Sequence, residues 1–190
     1  MQVLKDEIRE KILNVAERLF YETGFSETST RQIAGEVGIS VSNLYKYFTD
    51  KQAIFSAIAE PFYQHTRSNL EALFSQKHAV TDSGMIDIVV QQLISLMMTE
   101  RRKFVIVMGR SKGTPYTKFK DEIISMFAKH MAESVNPNSL KDDFILKVLA
   151  ENFFEGIFKI AENSTGKVTF ITDNVGALIR YHMAGMAEFD

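Results

Sequence analysis

Residues 29–48, STRQIAGEVGISVSNLYKYF, hold two short runs of helical apolar spacing split by a single glycine, a punctuation that limits them to two helices meeting across a tight turn. Ser29 and Gln32 form a capping-box pattern, in which the serine hydroxyl accepts from a first-turn amide and the glutamine reaches back. Ile33, Ala34 and Val37 supply a short buried face, and Gly38 ends it. Ile39 and Ser40 complete a three-residue turn, and Ser40 is a good N-cap for a third helix from Val41 to about Phe48. Upstream, Ile8, Ile12, Val15, Ala16, Leu19 and Phe20 recur at helical spacing between Lys5 and Thr23, and Gly24 follows where a helix commonly stops in the left-handed conformation. Three helices, the last two across a glycine turn, predict a helix-turn-helix.

On a helical wheel at about 100° per residue, Leu44, Phe48 and Val41 make the buried stripe of the third helix, and Tyr45 and Tyr47 fall on the two margins of a polar arc holding Ser42, Asn43 and Lys46. That arc carries no acid. Phenols at both margins can rest their rings on the domain and push their hydroxyls outward, a geometry suited to two phosphates lining a groove. The same positions also suit ordinary boundary tyrosines, with one end apolar and the other wet. Thr30 and Arg31, at the start of the second helix, can also contact phosphate. Lys51 opens the next helix, beside amides disposed to meet an anion.

The run from Gly24 to Ile58, GFSETSTRQIAGEVGISVSNLYKYFTDKQAIFSAI, resembles the DNA-binding region of the TetR family of bacterial transcriptional regulators, with its G-[FY]-x(3)-[ST]-x(3)-I-A, G-[IV]-S and L-Y-x-[HY]-F-x-x-K elements in order. The resemblance covers the first third of the chain. It implies an all-α homodimer: an N-terminal three-helix helix-turn-helix DNA-binding domain, residues 1–50, and a C-terminal helical ligand-binding and dimerisation domain, residues 51–190. By motif position it carries DNA contacts onto Thr30, Ser40, Val41, Ser42, Tyr45, Lys46, Tyr47 and Lys51. Position 41 is often lysine in this family; Val41 gives up a polar contact and either touches a thymine methyl or simply packs. Ser42 and Asn43 are the better candidates for base edges, asparagine being suited to adenine.

Formal net charge is −2 over 190 residues, so a nucleic-acid function needs a local surface rather than a basic body. Absent cysteine removes disulfides and thiolate chemistry and fits a reducing compartment. The charged opening MQVLKDEIREK lacks a signal-peptide core, and the most apolar run, Met85 to Met98, is interrupted by Asp87, Gln91 and Gln92 and is short of the roughly 20 residues of a bilayer span. The chain reads as soluble and cytoplasmic.

After Asp50 helical patterns continue, with breaks near His78–Ser83, Gly109–Pro115, Ser134–Asn138 and Asn163–Thr172; Pro61 should kink the first of these helices. Met85–Met98 reads as a central helix covered on most sides. Phe62, Met97, Met98, Phe104, Met108, Tyr116, Phe119 and Phe127 read either as plain core or as the wall of a mostly apolar effector pocket, the second reading being what the resemblance favours. Two last helices, Ser139–Asn163 and Asp173–Phe189, have apolar faces too broad for one contact. On them Phe153, Gly156, Ile157, Ile160, Leu178, Ile179, His182 and Met186 are the expected dimer interface, in line with the family's four-helix interface.

Gly109-Arg110-Ser111-Lys112-Gly113 matches G-x-S-x-G, so a serine hydrolase with Ser111 as nucleophile is an alternative, weakened by Pro115 where the elbow's helix should run. His65, His78, His130 and His182 lie far apart without ligand spacing, so no metal, catalytic residue or cofactor is expected. Glu100–Lys103 is a charge run at a helix end or at a pocket mouth. The reading is a ligand-responsive repressor on a palindromic double-stranded operator, with a small apolar effector and no membrane; the other class is a helical small-molecule sensor that does not regulate DNA.

Overall fold

The computed structural model describes residues 2–74, 83–134 and 143–187; His78, Phe189 and the expected breaks at 78–82 and 135–138 lie outside them. Among the described residues every regular element is helical: α1 Gln2–Glu27, α2 Thr30–Val37, α3 Val41–Leu44, α4 Lys51–Phe74, α5 Ser83–Thr99, α6 Arg101–Gly109, a 3-10 turn Pro115–Lys118, α7 Phe119–Ser134, α8 Asp143–Asn163 and α9 Val168–Ala187. None of the described helices is long and apolar enough to cross a membrane. The chain divides into two compact units, residues 1–65 with 102–119 and residues 66–101 with 120–190.

In the first unit, Ile12, Ala16, Leu19 and Phe20 of α1 are sealed together with Ile33, Ala34 and Val37 of α2, Leu44 of α3, and Ile54, Phe55, Ile58 and Ala59 of α4. The ring of Phe55 meets Phe20 and Phe25 edge-on, at 5.1 and 5.2 Å between centroids. Phe104 to Met108 of α6, Tyr116 and Phe119 complete this core. The Tyr116 hydroxyl donates to Glu60, which pulls the carboxyl below its ordinary value. Burial, reinforced by that bond, pushes the phenol upward.

Gly24 breaks the first helix where expected, though not in the left-handed form: it is a non-helical kink that joins two helices within Gln2–Glu27. It sits inside the helical assignment at φ 86°, ψ 166°, an extended positive-φ conformation essentially confined to glycine, and a further turn follows it. An added Cβ would stand 3.6 Å from the Arg110 carbonyl oxygen, in ordinary contact, so backbone strain rather than crowding decides the outcome there.

In the second unit α9 packs on α5 and α8. Ile124, Met131, Leu146, Ala150 and Met186 form a buried aliphatic core, with Phe127, Leu149 and Phe154 against it. The expectation that Met85–Met98 is covered on most sides fails. Gln91, Gln92 and Ser95 lie on an exposed stripe of α5 with Ile88 and Met98, and of its residues with described burial only Met97 is buried. The two glutamines and the serine recur at helical spacing, so solvating that stripe strands no polar group in the core. Helix α9 begins at Val168, five residues before the expected Asp173. The turn before it is closed by Gly166, at φ 83°, whose amide donates to Ser164 Oγ at 3.1 Å.

Gly24→Ala should destabilise the protein by about 1–3 kcal/mol, the cost of a side chain at such a φ/ψ. Gly35→Ala, inside α2 with open space at its Cβ, should stabilise it by up to about 1 kcal/mol. Urea unfolding of both variants checks the contrast. Because the folded state holds the Glu60 carboxyl below its ordinary 4.5, its contribution is complete above that pH and is lost as pH falls through the folded value. Tyr116→Phe should therefore lose stability near neutrality and converge on the parent in acid, read from denaturation midpoints across pH.

Candidate nucleic-acid interface

Each end of the two short helices is closed by a bond within its own sequence. Ser29 Oγ accepts from the Gln32 amide at 3.2 Å while Gln32 Oε1 accepts from the Ser29 amide at 2.8 Å, the expected reciprocal cap. Gly38 takes the left-handed conformation, φ 82°, ψ 31°, and its amide donates back to Ala34 and Gly35. Ser40 caps α3, accepting from the Asn43 amide at 3.1 Å.

The third helix is shorter than the expected Val41–Phe48. It ends at Leu44, with Tyr45 at φ −68°, ψ −8°. The amides of Lys46 and Tyr47 then reach three residues back, to Asn43 and Leu44, which tightens the chain into turns. Phe48 still returns its amide to Leu44, and both side chains are buried, so the stripe that seats the element survives the change of geometry.

Ser40, Ser42, Lys46 and Arg31 are exposed, Tyr45 is 48% exposed, and Thr30, Val41, Asn43 and Tyr47 are half-buried. The structure thus brings the sequence-derived candidates of α2 and α3 into one unit, with the Thr30 and Tyr45 hydroxyl oxygens 3.4 Å apart. No acid interrupts the segment from Ser40 to Tyr47. What it offers a ligand is a row of hydroxyls and the Asn43 amide with one cation, Lys46, and Arg31 of α2 is a second exposed cation; this is the chemistry of phosphate and base-edge contact.

Lys51 is placed differently from its companions. Its ammonium donates to the carbonyls of Phe25 and Thr28 at 2.6 and 2.7 Å and lies 4.2 Å from the centre of the Phe25 ring. Burial holds its pKa below the ordinary lysine value, opposed by the Glu27 carboxylate. Two of its three protons are therefore committed to the turn between α1 and α2. Positioning residues that spacing did not reveal act alongside it. Lys11 donates to the Val37 carbonyl at 2.9 Å, closing the C-terminus of α2, and the Arg9 guanidinium lies 5.2 Å from the centre of the Phe48 ring. Arg110 donates to the Glu22 carbonyl while its own carbonyl accepts from the Phe25 amide, at 2.9 and 3.0 Å.

The hydrolase alternative is overturned. A helix, α6, leads into Ser111 where a nucleophile elbow needs a strand, and the buried Ser111 hydroxyl donates to Val107 O at 2.9 Å. No group of three or more potential metal ligands occurs among the described residues. Of the effector-pocket candidates, Phe62, Phe104, Met108, Tyr116 and Phe119 are buried in the first unit, whereas Met97, Met98 and Phe127 belong to the second, buried, exposed and half-buried in turn. Of the dimer candidates, Phe153, Ile157, Ile179 and Met186 are buried inside the single chain, and Gly156, Ile160, Leu178 and His182 are half-buried. Gly156 lets Leu178 of α9 come so close that a Cβ would meet it at 2.8 Å.

Two short capped helices across a glycine turn, the second carrying a polar row without an acid, define a helix-turn-helix. Residues 12–58 match the model of the tetR family of bacterial regulatory proteins, so the match covers this N-terminal domain. It is 33% identical over 100 residues to the HTH-type transcriptional regulator AcrR of Shigella flexneri, covering 52% of this chain and 46% of the relative. The chain spans about half the length of that and another curated relative it matches. Its fold resembles that of a TetR-family transcriptional regulator from Bordetella parapertussis 12822, with a TM-score of 0.73, 18% identity, and 92% and 93% of the two chains covered. It also resembles the protein of a SmeT–triclosan complex, with a TM-score of 0.58, 17% identity, and 94% and 91% covered.

Lys51→Met should cost about 1–2 kcal/mol, the worth of hydrogen bonds to a charged donor discounted for partial exposure. Lys46→Met, on the open face, should leave stability within about 0.5 kcal/mol of the parent. Chemical denaturation of both proteins separates the two environments.

Proposed function

We propose that the chain is a DNA-binding transcriptional regulator that sets its helix-turn-helix into the major groove of a duplex. The observation that carries this reading is the acid-free row from Ser40 to Tyr47 on a support capped at every end. In this reading the Tyr45 and Tyr47 hydroxyls, Thr30, Arg31 and Lys46 hold phosphates, and Ser42 and Asn43 meet base edges. Val41 packs or touches a thymine methyl. Lys51 orients the support.

The regulator acts as a homodimer on a roughly palindromic operator, its two recognition elements about 34–36 Å apart. Helices α8 and α9 supply the contact between copies, through Gly156, Ile160, Leu178 and outward neighbours such as Tyr181, which is 80% exposed in the single chain. Repression is relieved by a small, largely apolar effector. To act as a switch it must prefer one conformer by a few kcal/mol, since equal affinity for both shifts nothing. A structural relative bound to triclosan supports an effector of this kind.

Specific sites selected from a random duplex pool, followed by anisotropy titration, provide the test. Tyr45→Phe and Tyr47→Phe should each weaken specific binding about 3–10-fold, the worth of one hydrogen bond; undiminished affinity in the double variant removes the phosphate-clamp role. Lys46→Met should lower the slope of log K against log salt by about 0.9 per subunit. Lys51→Met should weaken binding with the slope unchanged.

A further inference from the structure

The aromatic clusters of the chain are packed to different depths. In the first unit Phe20, Phe55, Phe62, Phe104, Tyr116 and Phe119 are all at most 6% exposed. In the second, Phe74, Phe127, Phe154, His130 and His182 are only half-buried, and Phe153 stands at the limit of burial with 9% exposed. These six rings nevertheless touch. Phe127 lies 5.9 Å from Phe74, 5.3 Å from Phe153, 5.6 Å from Phe154 and 5.7 Å from His182, while His130 stacks on Phe74 at 5.0 Å. The cluster draws its members from α4, α7, α8 and α9 over the buried aliphatic core.

One polar atom in the cluster has its hydrogen bond unmade. His182 Nε2 is buried and has no partner in the structure, while its ring lies 4.8 Å from Phe153. Burying such a group unpaired is unfavourable, so a molecule that reaches it recovers that cost. Burial also depresses the imidazole pKa, so the ring is neutral near pH 7 and carries no charge to attract a carboxylate, and a neutral hydroxyl can bond to it without bringing a charge into the cluster.

We infer that the half-open rings around Phe127 form the effector site, and that it takes a flat aromatic molecule bearing one neutral hydroxyl, which hydrogen-bonds to His182 Nε2. The site differs from the aromatic set expected from composition: of that set only Phe127 belongs to it. The aromatic members in the first unit are sealed core. The inference deepens the proposed regulator by naming the ligand class its effector domain accepts.

The test is titration of the full-length chain with 2-naphthol and with naphthalene, each followed by its own fluorescence. The native protein should bind 2-naphthol at least tenfold more tightly than naphthalene. His182→Phe should abolish that preference while naphthalene affinity is kept, which shows the site still folded. Phe127→Leu should weaken both ligands several-fold. The inference is overturned by a native protein that binds neither ligand, by one that shows no preference for the hydroxyl, or by a preference that survives in His182→Phe. If a second copy of the chain covers these rings instead, naphthol fails to bind and Phe127→Leu changes the dimer dissociation constant in sedimentation. Selection of specific duplex sites is scored separately: naphthol binding without it removes the regulator reading alone, and site selection without His182-dependent binding removes this inference alone.

Discussion

The orientation of the two short helices depends on how the turn between α1 and α2 is held. Residues 24–28 must reverse the chain, and they do so around a glycine in a conformation other residues resist. Lys51 then ties down two carbonyls of this turn, Thr28 Oγ1 donates to Gly24 O at 2.8 Å, and Thr23 and Thr28 pair their hydroxyls at 2.9 Å. Ser26 Oγ adds a bond to the Lys112 carbonyl at 3.0 Å. A turn that satisfies its polar groups in this way can enter a core without cost. Phe25 therefore stands edge-on to Phe55 instead of facing water, and α2 leaves the turn along one fixed direction.

What the sequence made legible follows from how far apart partners lie along the chain. The Ser29–Gln32 box, the Ser40 cap and the Gly38 stop each close within three or four residues, so local chemistry specifies them completely. Lys51 reaches back 23 and 26 residues, Lys11 forward 26, and Arg110 back 88. Nothing in a local pattern distinguishes those lysines from cations awaiting phosphate. The motif that placed Lys51 among the DNA contacts identified a residue that matters to the element, but the geometry gives its ammonium to backbone carbonyls.

Periodicity also misled where it was read without polarity. Residues 85–98 are rich enough in Ile, Leu, Val and Met to suggest enclosure, yet Gln91, Gln92 and Ser95 form an outer stripe along one side of α5. In α3 the period was right and the length wrong. A helix seated by Leu44 and Phe48 needs only those two anchors, and the intervening tyrosines and lysine adopt tighter turns without unseating either. That shortening changes how the row is presented: Tyr45, Lys46 and Tyr47 follow tighter turns instead of continuing a regular α-helical cylinder.

Composition alone treats every phenylalanine as core, and the two units show why that is insufficient. A ring sealed among other rings, as Phe55 is, has given up all its hydration and gains nothing further from a ligand. A ring left half exposed keeps apolar surface in water, at about 25 cal/mol per Å², until something covers it. The partly exposed rings clustered with His182, whose Nε2 has no partner, combine apolar area that a ligand can remove from water with one polar group that selects which ligand does so. In the proposed regulator, the sealed first unit would support the duplex-reading face, and the half-buried rings of the second would leave binding surface for an effector, because a domain with all its groups satisfied has no differential affinity to offer.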